Sequence, residues 1–371
     1  MKKIFLDDMI LTKDLPTTAG SRMLDGYMSL FDATVAEKLV AAGYTVEGKL
    51  PVGEFAIDLV GETCYAGDAS RAADTLKTAD AAGLVCFDVN GAPRRVAAQS
   101  GLVCIKPTYG TVSRFGTVPV ACSGECVSVT ATTPDACREI LCAMEGKDER
   151  DGTMHADDVC KKAGSVCEKS IKRIAVLGFE TDAEVAALME SAKSALAASG
   201  IELTCVDAGV IADANAAWNM LMCAELCNNV SRYDGIKYGY RTKNYKSLDE
   251  LYTNSRTEAF GLLLKTAILY GSDVLSTKSY MAKYDKAMRV RRVVCEAFAK
   301  LFETYDAVLL PAVSKMAYTA ADSAFEENRF TAPATLAGLP AVVAGGVQLI
   351  APAFGDAALL DVAKILVKEG N

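Results

Sequence analysis

Residues 83–116 decide the fold of this chain, and they read GLVCFDVNGAPRRVAAQSGLVCIKPTYGTVSRFG. The first part is a short apolar run that ends in Asp88 and is followed by Val-Asn-Gly. A continuous apolar run that is bounded by a turn signal is typical of a strand buried on both faces. The stretch therefore predicts a buried strand that leads directly into a tight loop.

The composition indicates a chain that can bury a large core. It has 371 residues, of which 51% are hydrophobic and 23% charged, and its formal net charge is −8. Because binding to a phosphate backbone depends on clustered Lys and Arg, we expect no direct binding to nucleic acid. No apolar run is long enough to span a bilayer, and the N-terminus is too acidic for a signal peptide. We therefore expect a cytoplasmic protein with no membrane contact.

The thirteen cysteines form no C-x-x-C pair. Cys122 with Cys126, and Cys223 with Cys227, have a spacing that would place two thiols on one face of a helix. In a reduced cytosolic chain cysteine usually serves as a small core residue, so we expect no metal and no cofactor. The single histidine, His155, lies in a polar stretch and is expected in a surface loop, which disfavours Ser-His and Cys-His mechanisms.

Residues 172–206 carry the clearest local pattern. Residues 172–178 read as a strand, Asp182 begins an amphipathic helix that Gly200 ends, and residues 201–206 read as the next strand. This β-α-β order indicates parallel pairing within an α/β fold. Nearer the N-terminus, residues 31–43 read as a helix with Asp32 as the expected N-cap and Gly43 after its last turn.

Three stretches carry more specific motifs. Residues 106–116 contain KPTYG and SRFG, residues 231–241 read SRYDGIKYGYR, and residues 330–341 read FTAPATLAGLPA. On these motifs the chain resembles the amidase signature family, and within it the A subunits of glutamyl-tRNA(Gln)/aspartyl-tRNA(Asn) amidotransferases. The resemblance covers nearly the whole chain, with several deletions and without the family's N-terminal helical segment. It implies one domain over residues 1–371 with the amidase-signature fold, an α/β architecture whose mixed, mostly parallel central sheet is covered by helices on both faces.

The resemblance also implies where catalytic groups should lie. The family uses a lysine base, a bridging serine and a nucleophilic serine; these positions fall on Asp7, Asp68 and Ala92. Alanine has no atom that could attack an amide. The family's oxyanion loop, whose backbone N–H groups hold the negative oxygen, falls on a degenerate run that keeps one of two glycines. That run is Val89, Asn90 and Gly91.

The positions that would recognise the glutamine substrate have changed too. The family arginine that binds the substrate carboxylate falls on Thr266 or Ala267, and neither can pair with a carboxylate. The family aspartate for the substrate amine becomes Asn328, and a tyrosine near the site falls on Trp218 or Asn219. By contrast, framework residues of the resemblance remain. They are Asp88, Arg94, Lys106, Pro107 and Tyr109.

The resemblance with these losses implies a catalytically inactive relative of the family's amidotransferase members that acts as a binding or scaffolding protein. The implied partners are amidotransferase B- and C-subunit-like proteins. The basic run Arg289–Arg292 offers a further partner contact, although a solvated helix face is the simpler interpretation. Any glutaminase or amide hydrolase activity would then be missing at the positions of the family triad.

Two alternatives stay open. The first is an active amidase or glutaminase subunit that uses a relocated nucleophile, for which the candidates are Cys86, Cys104, Ser70 and Ser100. The second is an acidic pocket for Mg²⁺, Ca²⁺ or another cationic ligand, formed where carboxylates converge. Its candidate side chains are Asp7, Asp8, Asp68 and Asp88.

Overall fold

The computed structural model describes residues 2–65, 67, 72–161, 163–164 and 170–367. Within these residues ten strands form one sheet. They are β1 (Lys2–Asp7), β2 (Tyr44–Leu50), β3 (Gly83–Asp88), β4 (Val103–Lys106), β5 (Cys126–Ala131), β6 (Arg173–Leu177), β7 (Glu202–Val206), β8 (Ala307–Pro311), β9 (Ala341–Ala344) and β10 (Val347–Ile350). The buried strand predicted at the start of the opening stretch is β3, and every residue in it is buried.

The same parts of the chain contain thirteen α-helices. They are α1 (Thr34–Ala41), α2 (Ala72–Thr78), α3 (Ala92–Ser100), α4 (Pro134–Met144), α5 (Asp157–Cys160), α6 (Ala183–Ala198), α7 (Ala214–Asn229), α8 (Leu248–Ala259), α9 (Leu262–Leu275), α10 (Tyr284–Phe302), α11 (Ala324–Glu327), α12 (Ala332–Ala337) and α13 (Asp356–Leu366). None of these helices combines the length and the apolar character that crossing a membrane requires.

The order of strands across the sheet is β2-β1-β3-β5-β4-β9-β10-β8-β6-β7. Pairing is parallel at both ends, where β1 lies between β2 and β3 and where β6 lies between β8 and β7. The pairs between these ends are antiparallel. The predicted mixed α/β sheet is confirmed. The expectation that the sheet is mostly parallel is wrong. Among the described strands, four of the nine pairs are parallel and five are antiparallel.

A short connection explains part of the antiparallel centre. β9 and β10 are joined by Gly345 and Gly346, which have φ values of +58° and +80°. A two-residue turn of this kind joins antiparallel strands, whereas parallel strands need a crossover of a dozen residues or more. The hairpin therefore reverses the chain in the middle of the sheet.

Local signals were accurate where the chain forms β-α-β units. β6, α6 and β7 follow the predicted order, and the Asp182 carboxylate accepts a hydrogen bond from Val185 N–H at 2.9 Å, as an N-cap does. The predicted cap at Asp32 is wrong. α1 is preceded by Ala33, and the Asp32 carboxylate instead accepts from Lys13 N–H at 2.8 Å.

Helices cover both faces of the sheet, as expected. Side chains alternate along β3, so Leu84 and Cys86 lie on one face and Val85 and Phe87 on the other. The first face packs with residues of α3 and the second with residues of α4; each forms an apolar cluster. The end of β3 and the start of α3 therefore meet between two well-packed layers, which positions the loop of residues 89–91.

Candidate functional site

A buried ion pair holds the loop after β3. Asp88 ends β3, and Arg94 on α3 donates to both of its carboxylate oxygens, from Nε at 2.7 Å and from a terminal nitrogen at 3.2 Å. Both side chains are fully buried. Burial alone would raise the pKa of Asp88, but the guanidinium charge outweighs it and holds that pKa below its usual value. Gly91 N–H also donates to Asp88 at 3.0 Å, so the pair fixes the turn into α3.

The remaining donors of Arg94 tie this loop to α12, to the residue before it and to β10. They reach the Thr331 carbonyl oxygen (2.8 Å), the Gln348 side-chain oxygen (2.9 Å) and the Thr335 hydroxyl (2.7 Å). Gly91 has φ +85°, and a Cβ there would come within 2.2 Å of the Thr331 hydroxyl. Glycine is therefore required at this turn by both backbone conformation and close packing.

Arg95 is a second buried arginine, and it binds mainly backbone carbonyl groups. It donates to the carbonyl oxygens of Leu59 (2.9 Å), Asn90 (2.7 Å) and Asp58 (2.9 Å). Burial lowers its pKa. Through these contacts the loop after β3 is fixed to residues 58–59, which lie beside it.

Ala92, which the resemblance aligns with the family's nucleophile, is the first residue of α3. Its methyl group lies in the wall of a cavity of about 60 Å³. Asp7, the position of the family base, lies in the wall of the same cavity because β1 pairs with β3. The structure thus places both positions around one small space, with no hydroxyl on Ala92.

Asp7 is a buried carboxyl that binds backbone N–H groups. Met9 N–H donates to one oxygen at 3.0 Å, and Phe87 N–H donates to the other. Burial raises its pKa to about 7, although these hydrogen bonds oppose the shift. Asp68, the aligned bridging position, lies outside the described residues, as do Ser70 and the rest of residues 68–71.

The oxyanion loop and the substrate positions are joined by a network of three asparagines. The Asn328 side-chain nitrogen donates to the side-chain oxygens of Asn90 and Asn219, both at 2.7 Å. Asn90 in turn donates to the carbonyl oxygens of Ile57 (3.0 Å) and Ala324 (3.3 Å). Asn90 and Asn328 are buried. Their amides therefore occupy the space beside the oxyanion loop and bind one another.

The positions aligned with the substrate arginine do not reach this network. Thr266 on α9 is exposed, and its hydroxyl donates to the Leu262 carbonyl oxygen at 3.0 Å. Ala267 is buried in the large apolar cluster. Of the two candidates for the family tyrosine, Asn219 lies in the network, whereas Trp218 is packed in the core against Gly124.

The family model described as Amidase matches residues 3–79 and 85–360. This match covers far more than half of the chain. The chain belongs to the amidase family. Among curated relatives, it is 34% identical to the glutamyl-tRNA(Gln) amidotransferase A subunit of Acinetobacter baumannii over 393 residues, covering 96% of this chain and 80% of that protein. The corresponding protein from Coxiella burnetii is 33% identical over 390 residues, with the same coverage.

Solved structures agree with this membership of the amidase family. The glutamyl-tRNA(Gln) amidotransferase A subunit of Thermotoga maritima superposes with a TM-score of 0.80 at 26% identity, covering 99% of this chain and 83% of that one. The urea amidolyase of K. lactis has a TM-score of 0.82 at 23% identity and covers 98% of this chain and 23% of that one, which supports the fold alone. The predicted family and its α/β fold are therefore confirmed.

Two of the acidic candidates, Asp8 and Asp88, have partners of their own. Asp8 accepts hydrogen bonds from the backbone N–H and the hydroxyl of Thr18, and Asp88 pairs with Arg94. Within the described ranges, no group of three or more His, Cys, Asp or Glu side chains is arranged to hold a metal ion. Asp8 and Asp88 are thus each held by a separate partner, and the predicted acidic site, whose fourth member Asp68 lies outside the described residues, stays a prediction.

The cysteine pairs and the histidine play no part in this site. Cys126 begins β5, so it shares no helix with Cys122, while Cys227 on α7 lies 3.1 Å from the Ser272 hydroxyl. His155 is exposed as predicted, and its Nε2 lies 3.1 Å from the Tyr109 carbonyl oxygen. The basic run lies on α10, where Arg291 donates to the Ser123 carbonyl oxygen.

Two ionisable residues near the site were not predicted. Asp58 lies in the cavity wall with Asp7 and Ala92, is fully buried, and has a carboxyl oxygen without a hydrogen-bond partner. Lys49 on β2 donates to the Pro16 carbonyl oxygen at 3.0 Å, and burial lowers its pKa to about 8. No local sequence signal identifies either one, because their burial comes from contacts between distant segments.

Proposed function

We propose that this chain is an A-subunit-like member of the amidase family that does not hydrolyse amides and acts, over residues 1–371 as one domain, as a binding or scaffolding protein. The observation that carries the proposal is the methyl group of Ala92 at the start of α3, beside the cavity that Asp7 also lines. Attack on an amide carbon needs an oxygen or sulfur nucleophile at this place, and alanine supplies none.

The base position supports the same conclusion. Both oxygens of Asp7 accept hydrogen bonds from backbone N–H groups, and burial raises its pKa to about 7. A carboxylate could accept a proton, but there is no hydroxyl at Ala92 to provide one. Restoring the nucleophile alone would therefore leave the proton transfer without the lysine of the family mechanism.

The asparagine network gives an independent reason. A substrate amide would need the space beside the loop of residues 89–91, where Asn90, Asn219 and Asn328 now bind one another. Opening that space would break two 2.7 Å hydrogen bonds, from the buried Asn328 amide to the buried Asn90 and to the half-buried Asn219, and buried amides are expensive to leave unpaired. This network supports the proposal, because a substrate amide would have to displace the protein's own side chains.

The curated relatives are named as one subunit of an amidotransferase, which favours a role in an assembly. We propose B- and C-subunit-like proteins as partners and the cytoplasm as the location. Copurification of the tagged chain from its own cell tests the partners. Recovery of such proteins at stoichiometric amounts is expected, and a chain that elutes alone under conditions that preserve known amidotransferase complexes would contradict the assignment.

Activity is tested by assaying the purified protein for glutaminase activity and for hydrolysis of simple amides. The control is a mock purification from host cells that carry the empty vector, which measures contaminating host amidase; the related Acinetobacter baumannii protein serves as the positive control. We expect the wild-type chain to show no more turnover than the mock purification. Turnover that is clearly above the mock purification and that follows the protein through purification would refute the proposal.

A second candidate function is an active hydrolase with a relocated nucleophile, and one observation favours it. Lys49 and Cys64 line a cavity of about 280 Å³ together with Asp8 and Thr18. A lysine whose pKa is lowered to about 8 by burial can act as a base near neutral pH. Cys86 and Cys104 are weaker candidates, because burial raises the pKa of both thiols and so disfavours their thiolates.

Mass spectrometry after treatment with a fluorophosphonate or a reactive amide separates the two candidates. An adduct on Cys64 or Thr18 that disappears in Lys49→Met would support the relocated nucleophile. The proposed inactive protein should show no site-specific adduct. The exposed Lys147→Met provides the matched control, since removal of that lysine should change nothing in either case.

A further inference from the structure

The cavity of about 280 Å³ that Lys49 lines lies at the carboxyl ends of two parallel strands. β1 and β2 pair in parallel up to Asp7 and Leu50, so their carboxyl ends meet at the same edge of the sheet. The carboxyl edge of parallel strands is a common place for ligand sites in α/β proteins. The wall is formed by Asp8, Leu15, Pro16, Thr18, Lys49, Leu50, Pro51 and Cys64.

Lys49 supplies the side-chain amine of this wall. It is half-buried, and its Nζ donates to the Pro16 carbonyl oxygen at 3.0 Å and to the Thr17 hydroxyl. The bond to Pro16 is exposed to solvent, so a small molecule in the cavity can approach the nitrogen. In a neutral amine these two bonds use both N–H donors, and the lone pair is left for attack on a ligand.

Burial favours the neutral form of this amine. It lowers the pKa of Lys49 to about 8, although the charges of Asp8, Asp7 and Asp32 oppose the shift. At pH 7 about a tenth of an amine with this pKa is neutral, against less than about a thousandth of an ordinary lysine. Desolvated lysines of this kind act as nucleophiles toward carbonyl compounds.

We propose that Lys49 is a modification site for small neutral aldehydes, which enter the cavity and form an imine with the Lys49 amine. The Nζ lone pair attacks the aldehyde carbon, the C=O π pair moves to the oxygen, and a hemiaminal forms. Its oxygen then leaves as water with the two hydrogens of the neutral amine, and a C=N bond remains. The reaction needs no oxidant, reductant or cofactor. The inference goes beyond the proposed function, since no amide bond is involved.

Two features of the wall select among carbonyl compounds. Its volume exceeds that of a cavity of about 150 Å³ that binds benzene, so an aldehyde with a short carbon chain has room to pack on the apolar residues. Asp8, whose carboxylate accepts from Thr18 N–H at 2.9 Å, disfavours an aldehyde that also carries a negative charge. Butanal and succinic semialdehyde are therefore matched probes, because both have four carbons and only the second ends in a carboxylate.

The test is treatment of the full chain at pH 7 with butanal and sodium cyanoborohydride, which reduces the imine to a stable secondary amine. Mass spectrometry of the digested protein gives the rate of butylation at each lysine. Lys49 should react at least about tenfold faster than the exposed Lys243, because more of its amine is neutral. The rate at Lys49 should saturate as butanal is raised, since binding precedes reaction, whereas the rate at Lys243 should rise linearly.

Two variants separate the cavity from the reactivity of the amine itself. Leu15→Trp fills part of the cavity and should slow butylation of Lys49 at least about fivefold, while reaction with formaldehyde, which needs little space, should change by less than about twofold. Asp8→Asn removes the carboxylate of the wall. It should raise the rate with succinic semialdehyde relative to butanal at Lys49 and leave that ratio unchanged at Lys243.

The proposal is overturned if Lys49 reacts no faster than Lys243, if its rate does not saturate, or if Leu15→Trp leaves butylation unchanged. Succinic semialdehyde that modifies Lys49 as fast as butanal would also overturn it, because the wall would then not select a neutral aldehyde. The same holds if Asp8→Asn does not change the ratio of the two rates at Lys49.

Discussion

The fully buried Arg94 shows why framework residues of the family remain in this chain. Arg94 uses all five of its N–H donors, two of them on Asp88. Removing one partner of a buried pair costs about 3–5 kcal/mol, because the other charge is left uncompensated. Asp88 and Arg94 are therefore needed to form the loop, whether or not the loop performs chemistry. Ala92, between them in sequence, carries no such requirement.

Substitution of Asn328 tests whether the asparagine network stabilises the folded protein. Asn328→Asp restores the residue type that the family uses for the substrate amine. Its side chain would have acceptors only, facing the oxygens of Asn90 and Asn219, so we expect a loss of about 3 kcal/mol or more in the free energy of unfolding at pH 7. Urea unfolding followed by circular dichroism measures it.

Asn244→Asp is the control for this substitution. Asn244 is exposed, so the same chemical change should alter stability by less than about 0.5 kcal/mol. If Asn328→Asp were as stable as the wild-type chain, the network would contribute nothing to the closed site. The cleft could then reopen to a substrate without an energetic cost.

Residue identity could be read from the sequence more reliably than residue environment. The motifs placed Asp7 and Ala92 at aligned positions, and the structure puts both in one cavity wall. Asp58 was missed, because its burial and its unpaired oxygen depend on segments brought together by the fold. The partner of Asn328 could not be foreseen either, since Asn90 lies 238 residues away along the chain.

At the scale of elements, sequence reasoning succeeded where the signals were local. The cap at Asp182 and the periodic pattern after it gave α6 and its two parallel strands. The antiparallel centre was missed because pairing of β3 with β5, and of β4 with β9, depends on which strands meet in space. Asp32 failed as a cap because its carboxylate binds Lys13, from an earlier segment.

The end of α4 offers a prediction about how two elements are joined. Lys38 on α1 donates to the carbonyl oxygens of Met144 (3.2 Å), Glu145 (3.1 Å) and Gly146. These lie at the C-terminus of α4, where a cation is favourable and where carbonyl groups lack helical partners. Lys38→Met should lower the free energy of unfolding by about 1–2 kcal/mol while retaining the apolar stem.

Urea unfolding again provides the measurement, and Lys147→Met is the matched control. Lys147 makes an exposed ion pair with Glu149, and solvent screening leaves such a pair little effect on stability. A Lys38→Met protein that unfolds at the wild-type urea concentration would show that α1 and α4 are held by apolar packing alone. Hydrogen exchange at Glu145 and Gly146 should increase in the variant even if global stability changes little.

At the scale of the whole molecule, buried carboxyls determine how stability depends on pH. Burial raises the pKa of Asp7 and Asp58 to about 7 and that of Glu145 to about 8. Between about pH 4 and these values, the folded protein keeps protons that the unfolded chain has released. The free energy of unfolding therefore falls as pH rises through this window, by up to about 1.4 kcal/mol per pH unit for each group. Asp88 and Asp148, whose pKa values are lowered, affect stability only at more acidic pH.

Substitution of Glu145 tests the contribution of one of these buried carboxyls, at a position away from the candidate site. Its charged neighbours are Asp356, which also opposes ionisation, and Lys38, which favours it. Glu145→Gln should reduce the slope of unfolding free energy against pH between 5.5 and 7 by up to about 1.4 kcal/mol per pH unit. The exposed Glu149→Gln should leave that slope unchanged. Urea titrations at several pH values measure both slopes, and stability that rises from pH 5.5 to 7 in the wild-type chain would show that these carboxyls are ionised and paired in the folded protein.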